Sequence, residues 1–389
     1  MYPELVISVI GLVAGFLINR KHPWLRKAGR STDRKGRPDE ISSDKTTDPL
    51  PEIKLSVIIP ISDDGTLPML LNNLAEQTRY VDDIILVGDG SVDVVSDLVT
   101  VDGVRFVQTP PTNDSQGMSD RTWDYISGAD VADGDLLLFL STEVHLERDA
   151  IQLVLQATKN HPAGVPAKST SVITIQPFCQ TKRLCDNAAL FATLIGSIGN
   201  FFPSKSSSHL IDPFSLVSLM TRDVYQTIRS QWIIKGKTSG TVALDFEVGQ
   251  SKGAEEIDYR HILGGQDIQT RTDGRGFLKT LQRWIAETAP QILRIQPGVL
   301  ILIALWLIAC TSIIIGLIQA SMQTDAWPVL VYIALYLLAL LQLNLASRHV
   351  GRFSRSAIFF YPLWLATFWV IFTISLVSNF IFNKSKIKL

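Results

Sequence analysis

Residues Gly134–Arg148 read GDLLLFLSTEVHLER, and the fold predicted for the rest of the chain is organised around this stretch. It opens on turn residues and continues as five apolar residues, Leu136–Leu140. An unbroken apolar run bounded by turn residues is typical of a strand buried on both faces of a mostly parallel sheet. The run ends abruptly at Ser141, Thr142 and Glu143. Because ligands of open α/β sheets bind beyond the carboxyl ends of the strands, this polar triplet is a candidate site.

The same residues can also be interpreted as an ordinary loop between a strand and a helix. In that case Glu147 and Asp149 favour the N-terminus of the next helix through its dipole. The stretch alone therefore leaves the choice between site and loop open.

Further strands and helices alternate along the middle of the chain. Alternation of this kind indicates right-handed βαβ units, and hence an α/β fold with a mostly parallel sheet and flanking helices. Ser171–Gln176 alternates apolar and polar residues, which predicts an additional, more exposed strand. The other predicted strands are Leu55–Pro60, Asp83–Val87 and Val104–Gln108, and the predicted helices are Leu67–Gln77, one from about Asp93, and one around Thr122–Ala129.

The N-terminal region predicts a membrane anchor. Leu5–Ile18 is apolar apart from Ser8, and basic residues follow it. A secretory signal would carry its positive charge before the apolar run, so we expect residues 1–20 to be an uncleaved anchor whose C-terminal side is cytoplasmic. The run is short against the ~20 residues that cross a bilayer, which leaves a steep or partly interfacial helix open. Residues 21–53 are basic and polar and predict a flexible linker.

The C-terminal region, residues 298–382, contains three apolar runs of nearly membrane-spanning length. We expect a multi-pass protein of the plasma membrane, with residues 54–290 forming a cytoplasmic catalytic domain. The cations of Arg348–Arg355 predict a cytoplasmic loop. With four full spans, Lys384, Lys386 and Lys388 would then lie outside, so either one span is re-entrant or interfacial, or this tail breaks the positive-inside tendency. The runs are Val299–Ile318, Val329–Leu345 and Ala357–Phe380.

Composition narrows the class of protein further. The 389 residues are 46% hydrophobic with a net charge of −1, and nothing in that charge indicates a nucleic-acid partner. The cysteines Cys179, Cys185 and Cys310 have no disulfide or metal-binding spacing. We interpret them as free thiols of a chain whose soluble part lies in a reducing compartment.

An ordered set of short motifs resembles the family-2-type nucleotide-sugar glycosyltransferases, which have the GT-A fold. The set is most similar to the bacterial carotenoid (diaponeurosporenoate-type) glycosyltransferases and covers nearly the whole chain, including both membrane regions. The motifs are a strand followed by Pro-x-x-Asp-Asp at 55–64, DIILVGDGS at 83–91, the triplet at 141–143, Gln176-Pro177-Phe178, Thr181-Lys182-Arg183, Arg271…Gly276-Phe277…Trp284, and HVGRFS at 349–354 before Pro362.

The resemblance implies a slot for a UDP-sugar at the carboxyl ends of the first two strands. Acids there would accept hydrogen bonds from the base and ribose, Gly90 would let the backbone approach the ligand, and Ser91 would cap the next helix. The alternative for Asp89-Gly90-Ser91 is a plain turn with an N-cap. The implied donor-binding residues are Pro60, Asp63, Asp64, Asp89, Gly90, Ser91 and Arg271.

The resemblance also implies a metal site. The family's metal triplet is Asp-x-Asp, and here it reads Ser141-Thr142-Glu143. Glu143 is therefore the candidate ligand for Mg²⁺ or Mn²⁺, both of which prefer hard oxygen donors. His145 is either an additional ligand for Mn²⁺ or a loop histidine.

The catalytic base and the acceptor site are less well defined. Lys235 stands where the family places an acid, so Asp245 and Glu247 are the candidate catalytic carboxylates, with Asp212 and Asp267 as alternatives. If the acceptor is itself a carboxylate, no strong base is needed. Trp284 is a candidate acceptor-side residue, and its alternative is the aromatic edge of an amphipathic interfacial helix.

The leading hypothesis is a membrane-bound enzyme that transfers a hexosyl unit from a UDP-sugar to a lipid acceptor such as a carotenoid or terpenoid. The alternative is a catalytically degenerate relative that binds or scaffolds partners in a membrane assembly, as departures from the family at Ser141, Met118, Lys235 and Thr272-Asp273 allow. A transporter is disfavoured because the spans carry almost no ionisable residues.

Overall fold

Two units make up the fold of the computed structural model. The sheet unit is Arg26–Ile175 with Ile211–Ile262, and the helical unit is Met1–Leu25 with Gln176–Leu210 and Leu263–Leu389. The domain bounds expected from the sequence stay a prediction. The structure describes residues 3–21, 53–61, 66–89, 103–109, 120–159, 171–181, 184–201, 216–238, 258–271, 281, 285, 292 and 295–386.

Helices and strands alternate through the sheet unit, as expected, and long helices dominate the C-terminal region. A 3₁₀ helix occupies Leu184–Ala189. In chain order the elements are α1 (Pro3–Lys21), β1 (Leu55–Pro60), α2 (Leu67–Ala75), β2 (Asp83–Gly88), β3 (Val104–Gln108), α3 (Asp120–Val131), β4 (Leu136–Leu140), β5 (Val144–Leu146), α4 (Ala150–Lys159), β6 (Ser171–Gln176), β7 (Phe178–Gln180), α5 (Leu190–Phe201), β8 (Val217–Thr221), α6 (Arg222–Thr238), β9 (Asp258–Leu263), β10 (Ile268–Arg271), α7 (Pro297–Ser321), α8 (Ala326–Val350), β11 (Gly351–Arg352), α9 (Arg355–Phe359) and α10 (Tyr361–Lys386).

The sheet unit is built on a mixed, mostly parallel sheet, which confirms the predicted fold class. Its described strands have the order β3-β2-β1-β4-β8-β6-β9. Strands β1 to β4 are mutually parallel, with Ile58 opposite both Ile85 and Phe139, whereas β8 is antiparallel to β4 and β6. Because neighbouring parallel strands end together, the sheet has an amino edge, where β1, β2 and β4 begin, and a carboxyl edge, where they end.

Helix α3 packs on the sheet closely enough to require a glycine. A Cβ at Gly128 would lie 2.5 Å from Ile58 Cγ2 and 2.7 Å from Val87 Cγ2. One turn earlier, Tyr125 meets Phe139 edge to face with ring centroids 5.5 Å apart. This contact buries the run that the sequence identified as the central strand.

The amino edge is tied together by side chains. Ser56 Oγ accepts the Gly134 N–H at 2.8 Å and donates to Asp83 Oδ2 at 3.1 Å. Arg105 forms an ion pair with the same Asp83 carboxylate, which raises the pKa of Arg105. Arg222 Nε donates to the Gly134 carbonyl at 3.0 Å. The charged groups of this edge are therefore engaged in holding strand and loop ends together.

The expectation that β6 is more exposed is wrong. Val172 is 0% exposed and Ile175 is 4% exposed, because β6 lies between β8 and β9 and is not an outermost strand of the sheet. Thr174 is polar yet buried, since its hydroxyl contacts His261 Nδ1 on β9. A hydroxyl that has a hydrogen-bond partner can be buried at little cost. Thr174 therefore adds a polar residue to the sequence of β6 without making the strand exposed.

In the helical unit, α1 packs directly against α7. A Cβ at Gly11 would lie 2.2 Å from Ala309 Cβ, and one at Gly15 would lie 2.5 Å from Trp306 Cδ1. Small residues four apart allow helices to approach this closely in apolar surroundings. The short apolar segment Glu4–Ile18 is therefore part of a helical bundle.

A buried glutamine joins three helices of this bundle. Gln342 on α8 is fully buried, donates to the Leu12 carbonyl of α1 at 3.0 Å, and accepts the Trp306 N–H of α7 at 2.9 Å. Among the described residues, three helices are long and apolar enough to cross a membrane, as predicted: Pro297–Ser321, Ala326–Val350 and Tyr361–Ser378.

Candidate active site

Three of the predicted site residues meet at the carboxyl edge of the sheet. Pro60 ends β1, Asp89 directly follows β2, and Glu143 lies three residues beyond the end of β4. Because β1 lies between β2 and β4, the ends of the outer two strands are separated by roughly 10 Å, or two strand spacings. A nucleoside diphosphate is long enough to extend across that distance.

Backbone hydrogen bonds hold the β1 and β2 ends in place. The Ile61 N–H donates to the Val87 carbonyl at 2.7 Å, which continues the register that places Pro60 opposite Val87. Asp63, Asp64, Gly90 and Ser91 lie outside the described residues, so their roles remain predictions.

The chain at Asp89 is also held by the end of β3. Gln108 Nε2 donates to the Asp89 carbonyl at 3.3 Å, and the Thr109 N–H donates to the Gly88 carbonyl at 2.8 Å. Thr109 Oγ1 in turn donates to Asp124 Oδ1 of α3 at 3.0 Å. Sequence reasoning missed Thr109 and Asp124. Polar residues that directly follow a buried strand are candidates for a site, and this rule could have identified Thr109. It could not have identified the partner of Thr109 on α3.

The triplet after β4 forms a turn that presents one carboxylate. The Ser141 N–H donates to the Leu216 carbonyl at 2.9 Å, and the Val144 N–H donates back to the Ser141 carbonyl at 3.0 Å. Ser141 and Thr142 are 1% and 3% exposed, whereas Glu143 is half-buried. Glu143 is therefore the accessible member of the triplet.

The metal ligands that this turn can offer fit a cation that is bound jointly by the protein and a substrate, rather than one bound by the protein alone. Within the described ranges, no group of three His, Cys, Asp or Glu side chains is placed to hold a metal ion. Mg²⁺ is commonly bound by one or two carboxylates, with substrate phosphates and water supplying the other ligands. Glu143 fits that arrangement, with Ser141 and Thr142 supplying the buried backbone that supports it.

His145 is placed on the short strand β5, beside Glu147. Its Nε2 lies 3.5 Å from Glu147 Oε1. His145 therefore lies on a strand rather than in a loop, and its role toward Mn²⁺ remains a prediction.

The remaining predicted site residues fall in other parts of the chain. Arg271 ends β10 in the helical unit, where its register position is opposite Gln180. Asp245, Glu247 and Trp284 lie outside the described residues, as does Asp212. Asp267 is described and exposed. The catalytic and acceptor-side assignments therefore remain predictions.

Two titratable groups with large pKa shifts lie on strands β9 and β7. Burial lowers the pKa of His261 to about 4, so its ring is neutral at pH 7. Burial and the nearby Asp186 carboxylate raise the pKa of Cys179 to about 12, which keeps this thiol protonated. Neither residue is prepared for acid–base or nucleophilic chemistry near neutral pH.

A comparison with known proteins agrees with this picture. No family model matches the chain. A curated 4,4'-diaponeurosporenoate glycosyltransferase from Staphylococcus haemolyticus (strain JCSC1435) is 23% identical over 282 residues, which cover 71% of this chain and 72% of that protein. The match confirms the predicted resemblance to family-2-type glycosyltransferases and supports an enzyme of the glycosyltransferase type.

The solved structures that are similar to this chain at low identity include the following three. Mannosyltransferase PcManGT from Pyrobaculum calidifontis, in complex with GDP-Man and Mn²⁺, has a TM-score of 0.47 and 14% identity, covering 97% of this chain and 99% of that one. S. aureus TarS 1-349 has a TM-score of 0.34 and 13% identity, covering 82% and 90%. Glucosyl-3-phosphoglycerate synthase from Mycobacterium tuberculosis, with Mn²⁺, UDP and phosphoglyceric acid, has a TM-score of 0.33 and 13% identity, covering 59% and 74%.

Proposed function

We propose that this protein is a membrane-bound glycosyltransferase that moves a hexosyl unit from a UDP-sugar to a lipid acceptor, with a carotenoid or terpenoid as the first candidate. The reaction would occur at the cytoplasmic face of the plasma membrane. The observation that carries the proposal is the carboxyl edge of the sheet, where Pro60, Asp89 and Glu143 follow three neighbouring strands. The apolar helices of the same chain support a poorly soluble acceptor.

The donor would lie along this edge. Asp89, with Asp63 and Asp64, would accept hydrogen bonds from the uracil and ribose, because carboxylates are strong acceptors for N–H and O–H donors. The hydrogen bonds from Gln108 and Thr109 would keep the Asp89 segment fixed while the base binds. Preorganisation of this kind reduces the entropy lost on binding.

Glu143 would hold Mg²⁺ or Mn²⁺ against the diphosphate. When bound, such a cation neutralises the charge that develops on the departing diphosphate. The protein's own contribution is the turn of Ser141 and Val144, which fixes the position of Glu143.

Transfer forms a bond between the acceptor oxygen and the anomeric carbon of the sugar, and it breaks the bond from that carbon to the diphosphate oxygen. UDP leaves with the electron pair of the broken bond. A hydroxyl acceptor also loses a proton, for which Asp245 or Glu247 is the proposed base. A carboxylate acceptor would need no base, in which case neither acid would be essential.

Titration calorimetry with UDP on the full chain in detergent tests the site. We expect binding that depends on Mg²⁺ or Mn²⁺, and Glu143→Gln should weaken it by about 2 kcal/mol, or roughly thirtyfold. Glu147→Gln is the matched control, because Glu147 is a nearby glutamate on the other side of β5 and pairs with His145. A parallel titration with GDP in place of UDP tests whether the site prefers uracil as the nucleobase of the donor. Equal UDP affinity in both variants would rule out Glu143 as the metal-binding residue.

A catalytically degenerate binding or scaffolding protein is the second candidate. One observation favours it: Ser141 stands at the first acid position of the metal triplet and is 1% exposed. Incubation with UDP-sugars and extracted host lipids, followed by mass spectrometry, separates the two functions. A glycosylated lipid supports the enzyme, whereas UDP binding without any product supports the scaffold.

A further inference from the structure

A cluster of exposed arginines lies between the second and third apolar helices of the C-terminal region. Arg348 is in the last turn of α8, Arg352 is on β11, and Arg355 begins α9. All three are exposed. We call these three residues the arginine loop.

The backbone of the arginine loop is held from within the helical unit. Thr181 Oγ1 donates to the Arg352 carbonyl at 2.7 Å, and the Ser354 N–H donates to Asn187 Oδ1 at 3.3 Å. A Cβ at Gly351 would lie 2.7 Å from the Cys179 carbonyl oxygen, so the loop approaches β7 as closely as a glycine allows. The loop is thus fixed while its guanidinium groups are exposed.

Nothing in the described surroundings neutralises these charges. The sequence has no Asp or Glu after Asp325, and among the residues that the structure describes none of the three arginines forms an ion pair. The charge of Arg355 at the first position of α9 also opposes the dipole of that helix. Helix stability therefore does not explain why this position is cationic.

The arginines stand at the border of an apolar surface. The exposed stripe of α8 passes through Leu337, Leu341 and Leu345, which are 57%, 50% and 46% exposed, and Arg348 follows one turn later. On the other side, Phe359 and Phe360 are 53% and 58% exposed. Cations and aromatic rings next to a lipid-facing stripe are typical of the level of the headgroups.

We propose that the arginine loop, together with Phe359 and Phe360, binds the phosphate groups of anionic phospholipids. The aromatic rings would enter the border of the acyl chains while the guanidinium groups pair with phosphate oxygens. The occupant is a bilayer lipid because the charged and apolar surfaces are contiguous, which a free anion would not need. The inference depends on the membrane placement proposed above and not on sugar transfer.

The test compares lipids retained by the full chain in nanodiscs of phosphatidylcholine with a minority of phosphatidylglycerol. Retained lipids are identified by native mass spectrometry. The test variant is Arg352→Gln with Arg355→Gln, which leaves Arg348 to stabilise the end of α8. The matched control is Lys54→Gln with Arg148→Gln, which removes two exposed cations from the sheet unit.

We expect wild type and control to retain phosphatidylglycerol preferentially, and the test variant to lose about fivefold of that preference for each arginine. Equal retention by all three proteins would overturn the proposal. If inorganic phosphate abolished the preference, the site would bind a free anion instead and the lipid assignment would fail. Failure of all three proteins to enter the discs would instead overturn the membrane placement, independently of the sugar-transfer assay.

Discussion

The two edges of the sheet differ in the side chains that they carry. At the amino edge, side chains add to the backbone hydrogen bonds: Ser56 bonds to Gly134 and Asp83, and Arg105 pairs with Asp83. At the carboxyl edge, the Ile61–Val87 and Ser141–Leu216 backbone hydrogen bonds hold the strand ends, and Gln108 donates to the Asp89 carbonyl. We propose that the side chains of the amino edge serve stability and that the acids of the carboxyl edge serve donor binding, as in other open α/β sheets.

The largest expected effect is a difference in the free energy of unfolding between two glycine variants, one at each edge of the sheet. A Cβ at Gly134 would lie 2.6 Å from the backbone nitrogen of Ser56, whereas one at Gly88 would meet Ile61 Cβ at an ordinary 3.4 Å. We expect Gly134→Ala to lower the free energy of unfolding by about 3 kcal/mol, because backbone cannot easily move aside. Chemical denaturation of the two variants measures this.

Gly88→Ala should change the free energy of unfolding by less than about 1 kcal/mol. An equal loss in both variants would contradict the assignment of stability to the amino edge. A folded Gly134→Ala protein should still bind UDP, since its substitution is at the opposite end of the strands.

A pH titration extends the comparison to His261, which lies on strand β9 of the same sheet. His261 has its pKa lowered to about 4 by burial, against about 6.5 for an unperturbed histidine. Between these values the unfolded chain binds a proton that the folded chain does not. The free energy of unfolding should therefore fall as the pH is lowered from about 6.5 to about 4, by at most about 3 kcal/mol from this residue, and should lose nothing more from it below that range.

Denaturation midpoints across this pH range measure the effect. His261→Gln should make the fall in the free energy of unfolding smaller by the contribution of this histidine. If this variant showed the same pH dependence as wild type, the fall would have to come from groups other than His261.

The sequence was informative about the fold wherever apolar residues form an unbroken run. Leu136–Leu140 is the central strand because both of its faces are covered, and no partner need be known to predict that. The exposure of β6 could not be predicted in the same way. Whether Thr174 faces water or the interior depends on His261, which is 87 residues distant in the chain.

The residues of the candidate site also divide into those that a local sequence pattern predicts and those that depend on distant parts of the chain. The positions of Asp89 and Glu143 at the carboxyl edge could be predicted because each follows a buried strand within three residues, and position at a strand end is a local property; their roles remain predictions. The contact of Thr109 with Asp124 is not local, because it joins the end of β3 to a helical residue 15 positions later in the chain. The packing of α1 was likewise hidden, since the spacing of Gly11 and Gly15 indicates close approach without naming the partner helix.

The smallest expected effect uses two buried serines, one at each edge of adjacent strands. Ser56 is 0% exposed and accepts the Gly134 N–H at 2.8 Å, whereas Ser141 is 1% exposed and its hydroxyl lies 3.5 Å from the Glu143 nitrogen. We expect Ser56→Ala to lower the free energy of unfolding by about 1.5 kcal/mol, because a buried N–H loses its acceptor. Ser141→Ala should cost less than about 0.5 kcal/mol, because a contact that long contributes little. The two serines are alike in size and burial, so a difference between their denaturation midpoints measures the hydrogen bonds that Ser56 makes with Gly134 and Asp83. Equal costs would mean that these hydrogen bonds contribute no more to stability than the long contact of Ser141.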